Sequence, residues 1–216
     1  MVKTKTKLLI WDWNGTLLDD TKLCFDIAND MRVERSMDPL PDMNAYRSVF
    51  GFPVIDYYRR MGYTFETETY EEMSEEFLAL YAERLPQCGL QPHVQETLQA
   101  VHDLQIPQIL LSATGADRLR GQVEFFGIAD WFDDIIGGDN NLAHGKAENA
   151  RNLLAQKSVD PANALFIGDT DHDHEVSDAI GCRCLLLTRG HQSHERLSML
   201  GVPMIDHLQE VIDYIK

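Results

Sequence analysis

The chain has 216 residues, of which 44% are hydrophobic and 25% charged, a composition typical of a globular protein with one sizeable core. Its formal net charge of −16 repels phosphate backbones, so nucleic acid and anionic membrane surfaces are poor candidate partners. The apolar run after the basic start MVKTKTK is too short for a signal peptide or a membrane span, and we expect a cytoplasmic protein.

The first predicted element is a strand over residues 7–11, an apolar run that ends at Asp12. From residue 19 to about residue 85 the apolar spacing becomes helical. Two sets of apolar residues repeat there at the spacing of one helix face: Cys24, Ile27, Ala28 and Met31, and then Met73, Phe77, Leu80 and Tyr81. Between the two sets, Gly51 and Pro53 interrupt the pattern, and a short helix is predicted after them.

From residue 91 onward, predicted helices and strands alternate. Helices are predicted over 94–101 and in the segments RLRGQVEFFG, KAENARNLLAQK, EVSDAIG and HLQEVIDYIK. Strands are predicted in PQILLSATG, DDIIGGD, ALFIGDTD and CRCLLLT. This alternation predicts an α/β fold whose parallel sheet is covered by helices on both faces. In such sheets the ligand binds beyond the carboxyl ends of the strands.

Polar side chains stand at these predicted strand ends. Asp12 follows the first strand, Ser112 ends the next, and Asp169 follows a third with Asp173 close behind, while Lys146 opens a helix. Clustered carboxylates repel one another, and Mg2+ is the natural companion because it prefers oxygen ligands. The lysine and the serine hydroxyl could hold phosphate oxygens. The set therefore predicts a phosphoryl-transfer site.

Four motifs in order, DWNGTL, LLSATG, Lys146 and FIGDTDHD, resemble those of the haloacid dehalogenase superfamily and, within it, the phosphoglycolate phosphatase-like hydrolases. The resemblance implies a Rossmann-like core over 1–18 and 87–216, with a small all-α cap inserted over 19–86. It implies a Mg2+-dependent phosphatase that acts on a small phosphorylated metabolite similar to phosphoglycolate, as a monomer or a homodimer.

The resemblance also assigns roles to individual residues. Asp12 would be the nucleophile that forms an aspartyl-phosphate. Lys146 would neutralise charge on Asp12 and on the phosphate, although Ala147 follows it where the family commonly has proline. Ser112 and Ala113 would bind the phosphoryl group. The implied Mg2+ ligands are Asp12, Asp169, Asp173 and the backbone carbonyl of Asn14.

Asn14 departs from the family, whose phosphatases mostly carry at this position a second aspartate that exchanges protons with the leaving oxygen and the attacking water. An amide cannot exchange that proton. Several explanations stay open. The enzyme could be slow, or it could use leaving groups that need little protonation. A histidine could also donate the proton in place of the aspartate; the candidates, which we otherwise interpret as surface histidines, are His172, His174 and His191. Asn14 could be an engineered trap, or the Asn14-Gly15 pair could deamidate. The alternative function is a catalytically weakened module that binds phosphate or a metabolite.

The segment YRSVFGFPVIDYY resembles the substrate-specificity loop of the family cap. Arg47 in it could be the cation for a second anionic group of the substrate, such as a carboxylate, or a solvated helix arginine. We interpret its aromatic residues as packing of the cap rather than as a ligand platform: Phe50, Phe52, Tyr57 and Tyr58.

Overall fold

The computed structural model describes residues 5–138 and 145–215. Six strands in these residues pair in parallel in the order β5-β4-β1-β6-β7-β8. They are β1 (Leu8–Trp11), β4 (Gln108–Gly115), β5 (Asp134–Gly138), β6 (Ala164–Gly168), β7 (Arg183–Leu187) and β8 (Met204–Ile205). The predicted α/β class with a parallel sheet is confirmed. The final residue of the predicted DDIIGGD strand, Asp139, lies outside the described residues.

Helices cover both faces of this sheet, because successive strand side chains point to opposite sides. The helices of the sheet region are α5 (Val94–Asp103), α6 (Ala116–Phe125), α7 (Lys146–Lys157), α8 (Asp171–Ile180), α9 (His194–Ser198) and α10 (Val211–Ile215). On one face Leu9 and Trp11 pack in a core cluster with residues of α5, α6 and α10. On the other face Leu8 and Ile10 pack with residues of α7 and α8. Strand β1 is therefore fully buried, with both neighbours hydrogen-bonded to it.

Three predicted helix starts differ from the structure. α6 begins at Ala116, two residues before the predicted RLRGQVEFFG segment. α8 begins at Asp171, ahead of the predicted EVSDAIG segment, because Thr170 and Asp173 form a capping box that satisfies its first N–H groups. The predicted terminal helix begins as a 3-10 turn over Leu208–Glu210 and becomes α-helical at Val211.

A helical segment lies between two short strands, β2 (Leu18–Asp19) and β3 (Gly89–Leu90). The two strands pair antiparallel, so the chain leaves and re-enters the sheet region at one place. The segment contains α1 (Thr21–Glu34), α2 (Met43–Val49), α3 (Val54–Arg60) and α4 (Tyr70–Arg84). The exact domain limits, 19–86 for the cap, stay a prediction. Across 5–138 and 145–215, no helix is long and apolar enough to cross a membrane.

Both predicted helix stripes of this segment face its interior. Cys24, Ile27, Ala28 and Met31 of α1 are all buried. On α4, Met73 and Tyr81 are buried, whereas Phe77 and Leu80 are half-buried. Phe77 stays partly exposed because its side chain lines the cavity that also contains Asp12 and Lys146.

Candidate active site

The carboxyl end of β1 places Asp12 beside a buried lysine. The Asp12 backbone N–H donates to the Ile167 carbonyl of the neighbouring strand at 2.8 Å. Lys146 opens α7, and its side chain is only 3% exposed. The Lys146 ammonium donates to Oδ1 of Asp12 and, at 2.7 Å, to Oδ1 of Asp173. Three groups predicted from separate parts of the sequence thus form one buried ionic cluster.

Asp169 is fully buried next to this cluster and is held on both oxygens. Its Oδ1 accepts from the Thr16 hydroxyl at 2.8 Å, and its Oδ2 accepts from the His191 backbone N–H at 2.7 Å. Two glycines make room for it: a Cβ on Gly15, where φ is +74°, would lie 2.4 Å from Oδ2, and a Cβ on Gly190 would lie 2.2 Å from it. Neither position can carry a side chain unless Asp169 moves.

Asp173 is oriented by the start of α8. Its Oδ2 accepts from the Thr170 hydroxyl at 2.7 Å and from the backbone N–H groups of Asp169 and Thr170, both at 3.1 Å. This leaves Oδ1 for the Lys146 ammonium. The capping box therefore does two things, since it starts the helix and it fixes a carboxylate in the site.

The charges in this cluster are unbalanced. Burial raises the pKa of Asp12 to about 8, although Lys146 acts in the opposite direction. Burial likewise raises the pKa of Asp169 to about 6, against the effect of His191. At Asp173 burial also acts to raise the pKa, but Lys146, His172 and Thr170 together outweigh it and the pKa is lowered. At Lys146 the two carboxylates outweigh burial and raise the pKa of the ammonium. The cluster therefore brings together three carboxylates and one ammonium, which pairs with Asp12 and Asp173 but not with Asp169.

This donor set fits a hard divalent cation. One carboxylate oxygen from each of Asp12, Asp169 and Asp173 lies within 4.8 Å of the others, and all three residues are buried. Oxygen donors with surplus negative charge in a desolvated site are what Mg2+ prefers. The backbone carbonyl of Asn14 remains a predicted fourth ligand.

The phosphoryl-binding residues predicted at the end of β4 line the same cavity as Asp12 and Lys146. Ser112 is buried, with its Oγ accepting from the Thr114 backbone N–H at 3.1 Å. Ala113 is half-buried between them. The structure thus brings the predicted nucleophile, lysine and phosphoryl-binding positions to one place.

The Asn14 side chain is fully engaged as an amide. Its Nδ2 donates to Oδ2 of Asp20 at 2.8 Å and to the Tyr81 hydroxyl at 2.9 Å. Its Oδ1 accepts from the Thr114 hydroxyl at 2.9 Å. The two donors and the acceptor face partners of the right kind, which only an amide can match in full. This geometry favours asparagine as the residue suited to position 14.

Asp20 is the functional-site residue that the sequence did not reveal. It occupies the N-cap position of α1, but its side chain does not cap that helix. Its Oδ1 accepts from the Gly15 backbone N–H at 2.8 Å and lies 3.1 Å from Nε2 of His191. Its Oδ2 accepts from Tyr81 at 2.7 Å as well as from Asn14. Burial acts to raise the pKa of Asp20, but His191 and the hydrogen bonds from Tyr81 and Asn14 together outweigh it, so this pKa is lowered. A buried carboxylate therefore stands one hydrogen bond away from position 14.

The three candidate proton-donating histidines differ in their surroundings. The surface interpretation of His191 is wrong, because the residue is 3% exposed and is held between Asp20 and the Tyr46 hydroxyl. His172 is half-buried and lines the same cavity as Asp12 and Lys146, and its ring centroid lies 4.6 Å from that of Phe52. His174 lines a different cavity, so this conformation keeps it away from the phosphoryl site.

Arg47 does not reach the cavity in this structure. Its Nε donates to the Gly190 carbonyl at 2.9 Å, and its guanidinium NH2 group donates to the Arg189 carbonyl at 2.8 Å. The side chain therefore ties α2 to the loop after β7 rather than offering a free cation to substrate. The arginine that does line the cavity is Arg118, in the first turn of α6.

The cavity itself measures about 210 Å³. The sheet region contributes its polar wall, and the helical segment contributes an apolar wall. The four predicted packing aromatics line it: Phe50, Phe52, Tyr57 and Tyr58. They also pack on one another, with ring centroids 5.2 Å apart for Phe50 and Tyr57. The packing interpretation therefore describes only part of their position.

Known proteins with similar sequences are hydrolases of the family that the four motifs resemble. The model of the haloacid dehalogenase-like hydrolase family matches residues 9–187. The chain is 25% identical to a phosphoglycolate phosphatase of Vibrio vulnificus (strain YJ016), with 100% of this chain and 98% of the relative covered. It is 29% identical to that of Photobacterium profundum over 60% of this chain and 58% of the relative.

Solved structures share the fold. A predicted phosphoglycolate phosphatase from Haemophilus somnus 129PT superposes with a TM-score of 0.80 at 20% identity, covering 98% of each chain. A haloacid dehalogenase-like hydrolase from Streptococcus pneumoniae gives the same TM-score and identity, covering 98% of this chain and 99% of that one.

Proposed function

The chain belongs to the haloacid dehalogenase-like hydrolase family, and on that premise we propose that it is a Mg2+-dependent phosphatase that hydrolyses a small phosphate monoester through an aspartyl-phosphate on Asp12. The observation that carries the proposal is one cavity lined by Asp12, Lys146, Ser112 and Asp173, with Asp169 buried next to them. The names of its relatives make 2-phosphoglycolate the first ester to test.

In the first step, a carboxylate oxygen of Asp12 attacks phosphorus and the bond to the leaving oxygen breaks, with the electron pair staying on that oxygen. The leaving oxygen takes its proton from solvent, because the Asn14 amide has none to give. Lys146 balances the charge that builds up between Asp12 and the phosphoryl oxygens. The Ser112 hydroxyl and the backbone N–H of Ala113 hold those oxygens.

In the second step, water attacks phosphorus, the bond to the Asp12 oxygen breaks, and phosphate leaves with the carboxylate restored. The water proton passes to solvent, since no carboxylate stands at position 14 to accept it. General acid–base catalysis is typically worth 10²–10⁴-fold, so we expect slow turnover. Mg2+, held by Asp12, Asp169, Asp173 and the Asn14 carbonyl, would neutralise charge on the phosphoryl oxygens.

The second candidate function is a weakened module that binds phosphate or a metabolite. The satisfied hydrogen bonds of the Asn14 amide favour it, because they suit a site in which position 14 never carries a proton to be exchanged. Such a protein would keep its Mg2+ and phosphate affinity but accumulate the aspartyl-phosphate or not react at all.

The decisive experiment measures phosphate release with Mg2+ from 2-phosphoglycolate and acetyl phosphate, for this chain and for Asp12→Asn. We expect release that depends on Mg2+ and on Asp12. Phosphate release and intact mass together separate the two candidates. The phosphatase releases phosphate and returns to its original mass, whereas the binding module retains a phosphoryl group or keeps its original mass without releasing phosphate. As a readout independent of activity, Mg2+ should raise the melting temperature of this chain but not of Asp169→Asn. Release that persists in Asp12→Asn would refute the aspartyl-phosphate route.

A further inference from the structure

We infer that the leaving group of the substrate carries an aromatic ring and no second anion, an inference that rests on the phosphatase proposed above. The site would then hydrolyse a phosphate monoester of a phenol or of an arylalkyl alcohol. The inference comes from the wall of the cavity opposite the phosphoryl site, from the cations available there, and from the missing proton donor at position 14.

The wall supplied by the helical segment is apolar. Beside Phe50, Phe52 and Tyr57, it contains Phe77 and Leu78 of α4. Phe77 and Leu78 are half-buried rather than packed away, so their side chains keep surface facing the cavity. Aromatic rings bind another ring through edge-to-face and offset contacts, and they bury large area with few rotatable bonds. A carboxylate placed against the Phe50, Phe77 and Leu78 side chains would lose its hydration without gaining hydrogen bonds from them.

This wall is fixed against the phosphoryl site. The Phe50 ring stacks on His191 at 4.7 Å, and the Phe50 carbonyl accepts from an Arg196 guanidinium NH1 group at 2.7 Å. The Phe52 ring lies 4.6 Å from that of His172. Contacts from the sheet region therefore hold the aromatic residues at a set distance from Asp12, as a selective subsite requires.

The cations that line the cavity are mostly committed to partners. Lys146 is shared by Asp12 and Asp173, and His191 faces Asp20. Arg118 remains, and it makes no ion pair with another described residue. It projects from α6 of the sheet region, beside the phosphoryl-binding end of β4, and not from the apolar wall. A second anion on the leaving group would meet aromatic carbon on that wall instead of a guanidinium.

The size of the cavity suits one ring. A cavity of about 150 Å³ is enough to hold benzene, and this one measures about 210 Å³. The cavity is therefore large enough for a single six-membered ring.

The absence of a proton donor at Asn14 also favours an aromatic leaving group. Without a proton donor at position 14, the leaving oxygen departs with its electron pair and is protonated by solvent. A phenol has a pKa of about 10, so a phenolate departs far more readily than an aliphatic alkoxide. The aromatic wall and the missing acid both favour an aryl ester, and we expect phenyl phosphate to be hydrolysed faster than benzyl phosphate.

The test compares kcat/KM with Mg2+ for benzyl phosphate and 2-phosphoglycolate. Both have an aliphatic carbon on the leaving oxygen, and they differ in a phenyl ring against a carboxylate. We expect benzyl phosphate to be preferred at least about tenfold, since a single methylene in an apolar pocket is already worth roughly 10–200-fold. Acetyl phosphate, which has neither ring nor second anion, reports on the Asp12 chemistry alone.

Matched variants locate the ring. Phe77→Ala should lower the rate with benzyl phosphate relative to that with acetyl phosphate by about tenfold or more. Phe125→Ala removes the same side chain from a position that is 61% exposed and outside the cavity, and it should leave all rates unchanged. Equal effects of the two variants would overturn the inference.

A binding measurement tests the aromatic subsite even if the protein does not turn over. Calorimetry on the Mg2+-loaded protein compares two non-hydrolysable probes, benzylphosphonate and phosphonoacetate. Tighter binding of benzylphosphonate supports the aromatic subsite, even if acetyl phosphate is not hydrolysed and the phosphatase proposal fails. Tighter binding of phosphonoacetate that Arg118→Met abolishes would overturn the inference, because the cavity would then select a carboxylate.

Discussion

The substitution Asn14→Asp would place a second buried carboxylate against Asp20. In the structure the Asn14 Nδ2 donates to Oδ2 of Asp20 at 2.8 Å. Replacing that NH2 group by a carboxylate oxygen turns an attractive contact into the approach of two negative oxygens. The hydrogen bond from Tyr81 to the same Asp20 oxygen keeps the carboxylate from turning away. The variant therefore cannot simply behave as a family member with an acid at this position.

The repulsion is large enough to decide the protonation state. Two unit charges at this separation repel by about 6 kcal/mol at an effective dielectric constant of about 20. We expect the pair to keep one proton at neutral pH, shared between positions 14 and 20. A group that holds its proton so firmly is a poor general acid, since donating it recreates the repulsion. Asn14→Asp alone should raise kcat by much less than the 10²–10⁴-fold typical of acid–base catalysis.

The double variant Asn14→Asp/Asp20→Asn exchanges the two groups and restores one carboxylate and one amide in contact. We expect it to approach the full 10²–10⁴-fold gain over the unmodified chain with benzyl phosphate, an aliphatic ester that depends on protonation. The assay is kcat for the four members of this double-mutant cycle, with Asp20→Asn as the matched control and melting temperatures to verify folding. A full gain in Asn14→Asp alone, with additive effects across the cycle, would refute the reasoning.

Two further predictions concern the neighbours of this network. Gly190→Ala should abolish the rise in melting temperature on adding Mg2+, because the new Cβ would lie 2.2 Å from Oδ2 of Asp169. The control Gly89→Ala, whose Cβ would have nothing within 4 Å, should keep that rise. Loss of the rise in both variants would contradict the steric explanation. Burial lowers the pKa of His191, but Asp20, Asp169 and Asp12 together outweigh it and this pKa is raised. The charged contact with Asp20 therefore adds stability that is fully present below about pH 6.5 and is lost as pH rises through the folded pKa. The melting-temperature gap between the unmodified chain and His191→Gln should therefore narrow from pH 6 towards pH 9, and a constant gap would exclude the charge as its source.

Much of the fold and the centre of the candidate site follows from local sequence. The alternation of helical and apolar-strand patterns was enough to predict the parallel sheet, because each pattern records which side of a short element is buried. Asp12 and Asp169 directly follow β1 and β6, and Ser112 lies in the carboxyl-terminal half of β4, so one topological rule brings the three together. Lys146 needed the order of motifs as well, since a lysine that opens a helix is ordinarily solvated.

The surroundings of Asn14 could not be obtained in this way. Asp20 occupies an N-cap position, Tyr81 lies in the apolar stripe of a helix, and His191 lies in a loop. These local patterns describe the position of each residue but not its hydrogen-bond partners. Yet the three residues come from distant parts of the chain, and the Tyr81 hydroxyl and the His191 Nε2 both lie within 3.1 Å of an Asp20 oxygen.

By itself, the sequence determined the sheet, the strand-end carboxylates and the absence of an acid at position 14. Tertiary structure alone decided that a buried carboxylate at Asp20 faces that amide, that Arg47 binds backbone carbonyls, and that aromatic residues face the phosphoryl site. The physical reason is that spacing along the chain records which residues are buried, whereas desolvated polar groups are satisfied by whichever partners folding brings within hydrogen-bond distance.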